Sequence, residues 1–297
     1  MPPKPHPVPT PKPLRLPRRR NVTICIHLSG GGSIVTATDT QKTGGSDKVD
    51  AGKIISFWRA NPSGAINIAG AGDVLYINGL AQEIKQGFED FKGTFAELKP
   101  ELERITQDFY ATHVMPHEGR LEDDNLPDYA LLVGASHRGQ HALWNIEKTL
   151  ATEVSMFDCI GVGDAMAEPM LGKLWPEYPT LDALAVLAAY AIWRVKSSVD
   201  GCGLKTEIRF IYQEKPGLVP MRRIKQWEAC FEKYDLLERH LFNHAMGYPI
   251  ELPVPPQIQA KLPKLPPPNT KSLPEIIKEV EALRKELSQL TILPRKN

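Results

Sequence analysis

Three histidine pairs stand four residues apart, His113 and His117, His137 and His141, and His240 and His244. That spacing can put two imidazoles on one helix face to hold a metal ion. Pro116 interrupts the first pair and no pair carries the glutamate of an HExxH motif, so surface or packing roles fit better. Gly30, Gly31 and Gly32 before Ser33 suggest a phosphate loop, but no Gly-Lys-Ser/Thr follows and the next segment has strand rather than helix character. The four cysteines, Cys25, Cys159, Cys202 and Cys230, form no CxxC pair. A zinc knuckle and a disulfide-dense secreted scaffold are therefore disfavoured, and a reducing cytoplasm is the expected setting. Asp39 and Lys53 have the charges of an ordinary ion pair at a hairpin, and Gly70 has the freedom a turn needs. No cofactor and no metal is expected.

These residues need elements to position them. Thr23, Cys25 and His27 alternate with Val22, Ile24, Ile26 and Leu28, and the same period of two resumes from Ser33 to Asp39 after the glycines. That predicts a hairpin. Lys53 to Ile55 and Ala65 to Gly70 predict a second. From Asp73 the period changes to 3.6, with Val74, Ile77, Leu80, Ala81, Ile84, Phe88 and Phe91 on one stripe, and a further helical stretch covers Thr94 to His113. Tyr129 to Ser136 and His141 to Ile146 predict a third hairpin around His137 to Gln140. Phe157 to Gly161 then reads as a strand, followed by a helix through Met170, another from Leu181 to Lys196, and a strand from Thr206 to Tyr212. Strand pairs and helix pairs follow one another without strict alternation. The expected class is α+β, with antiparallel sheets and helices outside them, and not a Rossmann fold.

The 297 residues are 42% hydrophobic and 24% charged, enough to bury one large core or two small ones. Lysine plus arginine exceed aspartate plus glutamate by 36 − 35 = 1, so no whole-chain field concentrates nucleic acid or anionic membrane. The most apolar stretch, Leu181 to Trp193, contains Asp182 and falls short of the roughly 18 to 20 residues that span a bilayer. Nucleic acid and membrane are accordingly not expected partners. Residues 1–21 hold eight of the 27 prolines together with Arg18, Arg19 and Arg20, which predicts a disordered, solvated segment. The folded body is expected at 22–247 with a helical C-terminal extension, a proline-rich linker at 248–271, and an amphipathic helix and tail at 272–297.

The order and spacing of Thr23 to Ile26, Gly31 to Asp39, Lys53-Ile54 and Ala69 to Asp73 resemble the front half of a proteasome β-type subunit. Leu131 to Ser136, Ala142 to Ile146, Ile160 to Ala165 and the helix from Leu181 resemble its back half. Within the superfamily of N-terminal nucleophile (Ntn) hydrolases the chain looks similar to uncharacterised bacterial proteins that open with Met-Thr-hydrophobic-Cys-Ile. The resemblance spans roughly residues 22 to 212. It implies a four-layer αββα sandwich of two antiparallel sheets.

It also implies a chemistry. Thr23 would be the nucleophile, with its own free α-amino group, of pKa about 8, as the base. Lys53 would match the family lysine, Asp39 would orient it, and the Gly70 N–H would serve the oxyanion. Asp200 is the choice for the second aspartate, in competition with Ser198, and Asp164 stands where a serine is usual. A one-residue gap among Gly30 to Gly32 would instead align Val22 with the nucleophile. Val22 precedes Thr23 in the chain, so the amine must be exposed first. Because a valine codon can also serve as a bacterial start codon, a chain beginning at residue 22 as Met-Thr is one expected route. The expected function is cleavage of a peptide or other amide bond by a homo-oligomer acting on a peptide or protein substrate. The alternative is a catalytically inactive structural, assembly or binding protein. On the family pattern, Thr94 to His113 reads as an insertion that could hinder stacking of copies.

Overall fold

The computed structural model describes residues 23–44, 47–117 and 127–245, together with residues 278, 281, 282 and 285, which are helical. The expectations of a disordered segment at 1–21, a linker at 248–271 and, apart from those four positions, a helix at 272–297 lie outside the described residues.

The glycine turn closes the first hairpin, β1 (Ile24–Gly30) with β2 (Ser33–Asp39), in the register Cys25↔Thr38 and His27↔Thr36. β10 (Phe157–Gly161) joins the other edge of β1, and β11 (Thr206–Tyr212) with β12 (Lys215–Leu218) extends beyond β2, giving the sheet β10-β1-β2-β11-β12. The second sheet, β5-β6-β7-β8-β9, is built from β5 (Ile54–Ala60), β6 (Ser63–Gly72), β7 (Tyr129–His137), β8 (Gln140–Glu147) and β9 (Leu150–Val154). All pairings in both sheets are antiparallel. A short ribbon of β3 (Gln41–Gly44) and β4 (Asp47–Asp50) bridges from the first sheet to the second.

Alternation along β1 decides the layering. Ile24, Ile26 and Leu28 pack beneath α3 (Asp164–Leu174) and α4 (Leu181–Ser198), while Cys25 faces Ile54, Ala69 and Leu132 of the other sheet. Both faces of β1 are therefore covered. On the far side, α1 (Val74–Asp90) buries Leu80, Ala81, Ile84 and Phe88 against β6 and β7. Each large side chain in that stripe contributes on the order of 1.5–3 kcal/mol by leaving water. Asp73 starts the helix by accepting the Leu75 N–H at 3.0 Å. The α+β class, two antiparallel sheets between helical layers, is the observed fold.

Both remaining helical stretches follow the sequence reading, with one short strand added. Thr94 to His113 is helical as expected: α2 (Leu98–His113) lies beside α1 in that helical layer with Leu98, Leu102, Ile105 and Phe109 in the core. After Tyr212 the chain forms β12 and then α5 (Met221–Ala245), which seats Trp227 and Phe231 against the α4 layer. Among the described residues no helix is long and apolar enough to cross a membrane.

The space between the sheets is not uniformly apolar. One cluster there contains Cys25, Ile54, Ala69 and Leu132, a second contains Ile34, Ala65, Leu143 and Ile211. His27, Thr36 and Asn67 are buried polar residues on the same strands, and both ring nitrogens of His27 are without a hydrogen-bond partner.

Candidate active site

Thr23 immediately precedes β1, and its position depends on close approach to β10. Gly161 closes β10 with φ of 107°, and a Cβ there would overlap the Thr23 carbonyl oxygen. Glycine is required on both counts. Asp39 ends β2, beside the start of β1, and Lys53 immediately precedes β5 in the opposite sheet. The site thus joins the two sheets at one end of the sandwich.

The three side chains converge. Thr23 Oγ1 donates to Asp39 Oδ1 at 2.7 Å, Lys53 Nζ donates to the same oxygen at 2.8 Å, and Lys53 Nζ also donates to Thr23 Oγ1. The Ile24 N–H reaches Asp39 Oδ1 at 3.2 Å, and the Gly203 N–H donates to Oδ2 at 3.1 Å. Asp39 is fully buried and the Lys53 side chain is 7% exposed, so this ion pair sits in a much drier setting than a surface pair. Four donors offset the cost of burying the carboxylate. Lys53 is fixed at its backbone as well, its N–H donating to Glu207 Oε2 at 3.2 Å.

Gly70 lies in β6 next to this cluster. The Asp73 N–H donates to Asp128 on the β7 side. Alternation of ladder groups then turns Ala71 and Ala69 toward β7 and Gly70 toward β5. Ala69 faces Ile54 as a non-hydrogen-bonded pair, so the Gly70 N–H points at the main chain of Lys53. The Gly70 carbonyl accepts the Cys25 thiol at 3.3 Å.

The two sulfurs near the site are poor nucleophiles. Burial pushes Cys25 up to about 12, against the opposing pull of Lys53. Burial, aided by the Asp39 charge, pushes Cys202 up to about 12. At neutral pH both are thiols, not thiolates. Thr23, with an ammonium and a carboxylate on its hydroxyl, is the better-equipped oxygen or sulfur in the cluster.

Asp200 and Ser198 are exposed near the end of α4, and neither takes part in the hydrogen bonds around Thr23. The α4–β11 loop meets the cluster through a main-chain donor, the Gly203 N–H. No sequence signal marks a backbone N–H, apart from the pair of glycines, Gly201 and Gly203, that lets this loop come close. Asp164 opens α3, its carboxylate accepting the Ala165 N–H at 2.5 Å. It lines a cavity of about 430 Å³ with Asp128, Asn145, Asp158 and Glu168. Burial first, then neighbouring carboxylates including Asp164, raises both Asp158 and Glu168. His113 lies on the surface with Nε2 3.7 Å from Glu83, and His137 is buried with its ring nitrogens near Ser63 O and Gly93 O. The side chains of His240 and His244 lie outside the described residues.

Solved structures with this architecture include the Anbu (ancestral β-subunit) protein from Yersinia bercovieri, with TM-score 0.59 and 13% identity over 82% of this chain and all of that one. Anbu from Hyphomicrobium sp. strain MC1 gives TM-score 0.58 and 11% identity, covering 78% of this chain and all of that one. The helical assembly of the Anbu complex from Pseudomonas aeruginosa gives TM-score 0.57 and 16% identity, with 80% and 99% covered. No family model and no curated protein matches the sequence. These findings correct the resemblance drawn from sequence. The structural neighbours are Anbu proteins rather than a group of uncharacterised bacterial relatives, and at 11–16% identity the likeness is one of fold, proteasome-like, without establishing family membership.

Proposed function

We propose that the chain hydrolyses an amide bond, in a peptide or protein, with Thr23 as nucleophile once residue 22 has been removed from its nitrogen. The observation that carries this reading is the contact of one threonine hydroxyl with both Lys53 and Asp39 at the joined ends of two sheets. In the sequence Thr23 follows Val22, and as an amide its nitrogen is no base. Freed, the α-amine accepts the hydroxyl proton directly or through a water while Oγ1 bonds to the substrate carbonyl carbon. The Lys53 ammonium stabilises the oxygen as its proton leaves, and the Gly70 N–H meets the oxyanion. Collapse breaks the C–N bond, the leaving amine takes the proton, and an ester on Thr23 remains. Water, deprotonated by the same amine, then releases the acid and restores Thr23.

The test is hydrolysis of a fluorogenic peptide panel by two chains, the full sequence and one beginning Met-Thr23 from which methionine is removed. The second should turn over substrate and the first should not, unless it cleaves itself between Val22 and Thr23. Absence of turnover by a chain shown by mass to start at Thr23 would favour the second reading, a structural or binding protein. The amide-linked Thr23 of the full sequence is the observation that speaks for that alternative. A multimer of this chain is the proposed working form, because the same fold is described in a helical assembly of the Pseudomonas Anbu complex. Light scattering that gave a monomer at micromolar concentration would count against it.

A further inference from the structure

We infer that Gln41 is a positioning residue of this site, fastening the α4–β11 loop so that the Gly203 N–H is held on Asp39; the inference rests on reading Thr23 as the nucleophile. Gln41 follows Asp39 and Thr40 directly, opens β3 and is 4% exposed. Its Nε2 donates to the Gly201 carbonyl at 2.8 Å. Its Oε1 lies so close to Gly203 that a Cβ there would overlap it. The amide head therefore fills the inside of the turn Gly201-Cys202-Gly203, whose first residue has φ of 92°.

What the turn delivers is one hydrogen bond, from the Gly203 N–H to Asp39 Oδ2 at 3.1 Å. Oδ1 is already occupied by Thr23, Ile24 and Lys53. A carboxylate held at one oxygen keeps freedom to rotate about its Cβ–Cγ bond, and a donor on the second oxygen removes it. The orientation of Oδ1, and with it the Lys53 to Thr23 contact, then depends on the loop staying in place. The far end of the loop is tied separately, by the Lys205 N–H to Thr40 Oγ1 at 3.0 Å and the Thr40 N–H to Lys205 O at 2.9 Å. Gln41 holds the middle. Sub-ångström slack in such a support costs rate without removing any reacting group.

The experiment uses the chain that starts at Thr23 and follows covalent modification of that residue by a threonine-directed electrophile, together with hydrogen exchange at the Gly203 amide. Gln41→Met keeps the length of the side chain and removes its donor. Its maximal inactivation rate should fall about tenfold, as for other outer-shell supports, with the half-saturating concentration unchanged. Gly203 exchange should accelerate. Gly203→Ala places a methyl group against Gln41 Oε1 and should slow modification similarly. Adding Gln41→Ala to Gly203→Ala opens that space, so the double variant should be faster than Gly203→Ala alone, a coupling that independent structural damage does not produce. The inference is overturned if Gln41→Met modifies at the parent rate, or if the Gln41→Ala and Gly203→Ala losses simply multiply. If the parent is never modified, the nucleophile reading fails instead. Gly203 exchange still decides the fastening in that case, acceleration in Gln41→Met supporting it and an unchanged rate refuting it.

Discussion

Two polar regions lie between the sheets, and they are built on opposite terms. At one end, Thr23 and Asp39 are buried and the Lys53 side chain is nearly so, with all three hydrogen-bonded to one another and Asp39 accepting from four donors. Further along the same strands, His27 is fully buried with neither ring nitrogen bonded, and Thr36 Oγ1 and Asn67 Nδ2 are likewise unpaired. The first arrangement costs little in stability because each charge is compensated, and it fixes the geometry that chemistry needs. The second costs stability without a compensating contact. Sandwich interiors thus tolerate polar groups in two ways, and only the paired set has the character of a site.

The largest effect should come from breaking the paired set. Thr23→Ala should abolish modification and hydrolysis together while the chain stays folded, since it removes one hydroxyl and leaves Lys53 on Asp39. Lys53→Met should lower the rate by on the order of a hundredfold or more, because the hydroxyl loses the cation that eases its deprotonation. It should also lower stability by roughly 3 kcal/mol, since the buried carboxylate loses its counter-charge. Denaturant unfolding alongside the kinetics separates the two losses. A Lys53 variant with full activity would dissolve the distinction between the two regions.

The unpaired set should show itself in acid. Burial pushes His27 down to about 3, so the folded protein keeps the ring neutral where the unfolded chain, near 6.5, takes up a proton. Its stability is therefore complete above pH about 6.5 and is lost as pH falls toward 3, at about 1.4 kcal/mol per pH unit. His27→Leu should flatten that part of the stability profile, measured by urea unfolding at stepped pH. An acid limb of unchanged slope in His27→Leu would mean that the ring is paired or hydrated in solution.

The smallest effect belongs to Asp200. Exposed and outside the hydrogen bonds around Thr23, it should tolerate replacement by alanine with a rate within about twofold of the parent. A large loss would show that the α4–β11 loop rearranges to bring this carboxylate in.

How far the sequence carried these conclusions depended on what each residue had to reveal. The β1–β2 hairpin was legible because Ile24, Ile26 and Leu28 alternate with Cys25 and His27, and α1 because its apolar stripe repeats at the helical period. Alternation also assigned His27 to a face. It did not show that the face would be covered by a second sheet, so the buried unpaired imidazole went unseen. The spacing of Thr23, Asp39 and Lys53 was readable only through a resemblance, because β3 and β4 intervene between the last two and carry a short, polar sequence that no periodicity marks. Asp200 was chosen by residue type, whereas its loop touches Asp39 through the Gly203 backbone, and main-chain donors have no letter in a sequence. Edge strands β9 and β12 were missed as well, being brief and partly exposed.

The central claim is that Thr23 becomes the nucleophile when its nitrogen is free. Peptide mapping by mass spectrometry, after exposing a chain that begins at Thr23 and the full-length chain to the same threonine-directed electrophile, tests it most directly. The account predicts one equivalent of added mass on Thr23 in the shorter chain, none in its Thr23→Ala variant, and none in a full-length chain that retains Val22. Added mass on Cys25 or Cys202 instead, or no adduct on a shorter chain whose amino terminus is shown to be Thr23, would contradict it.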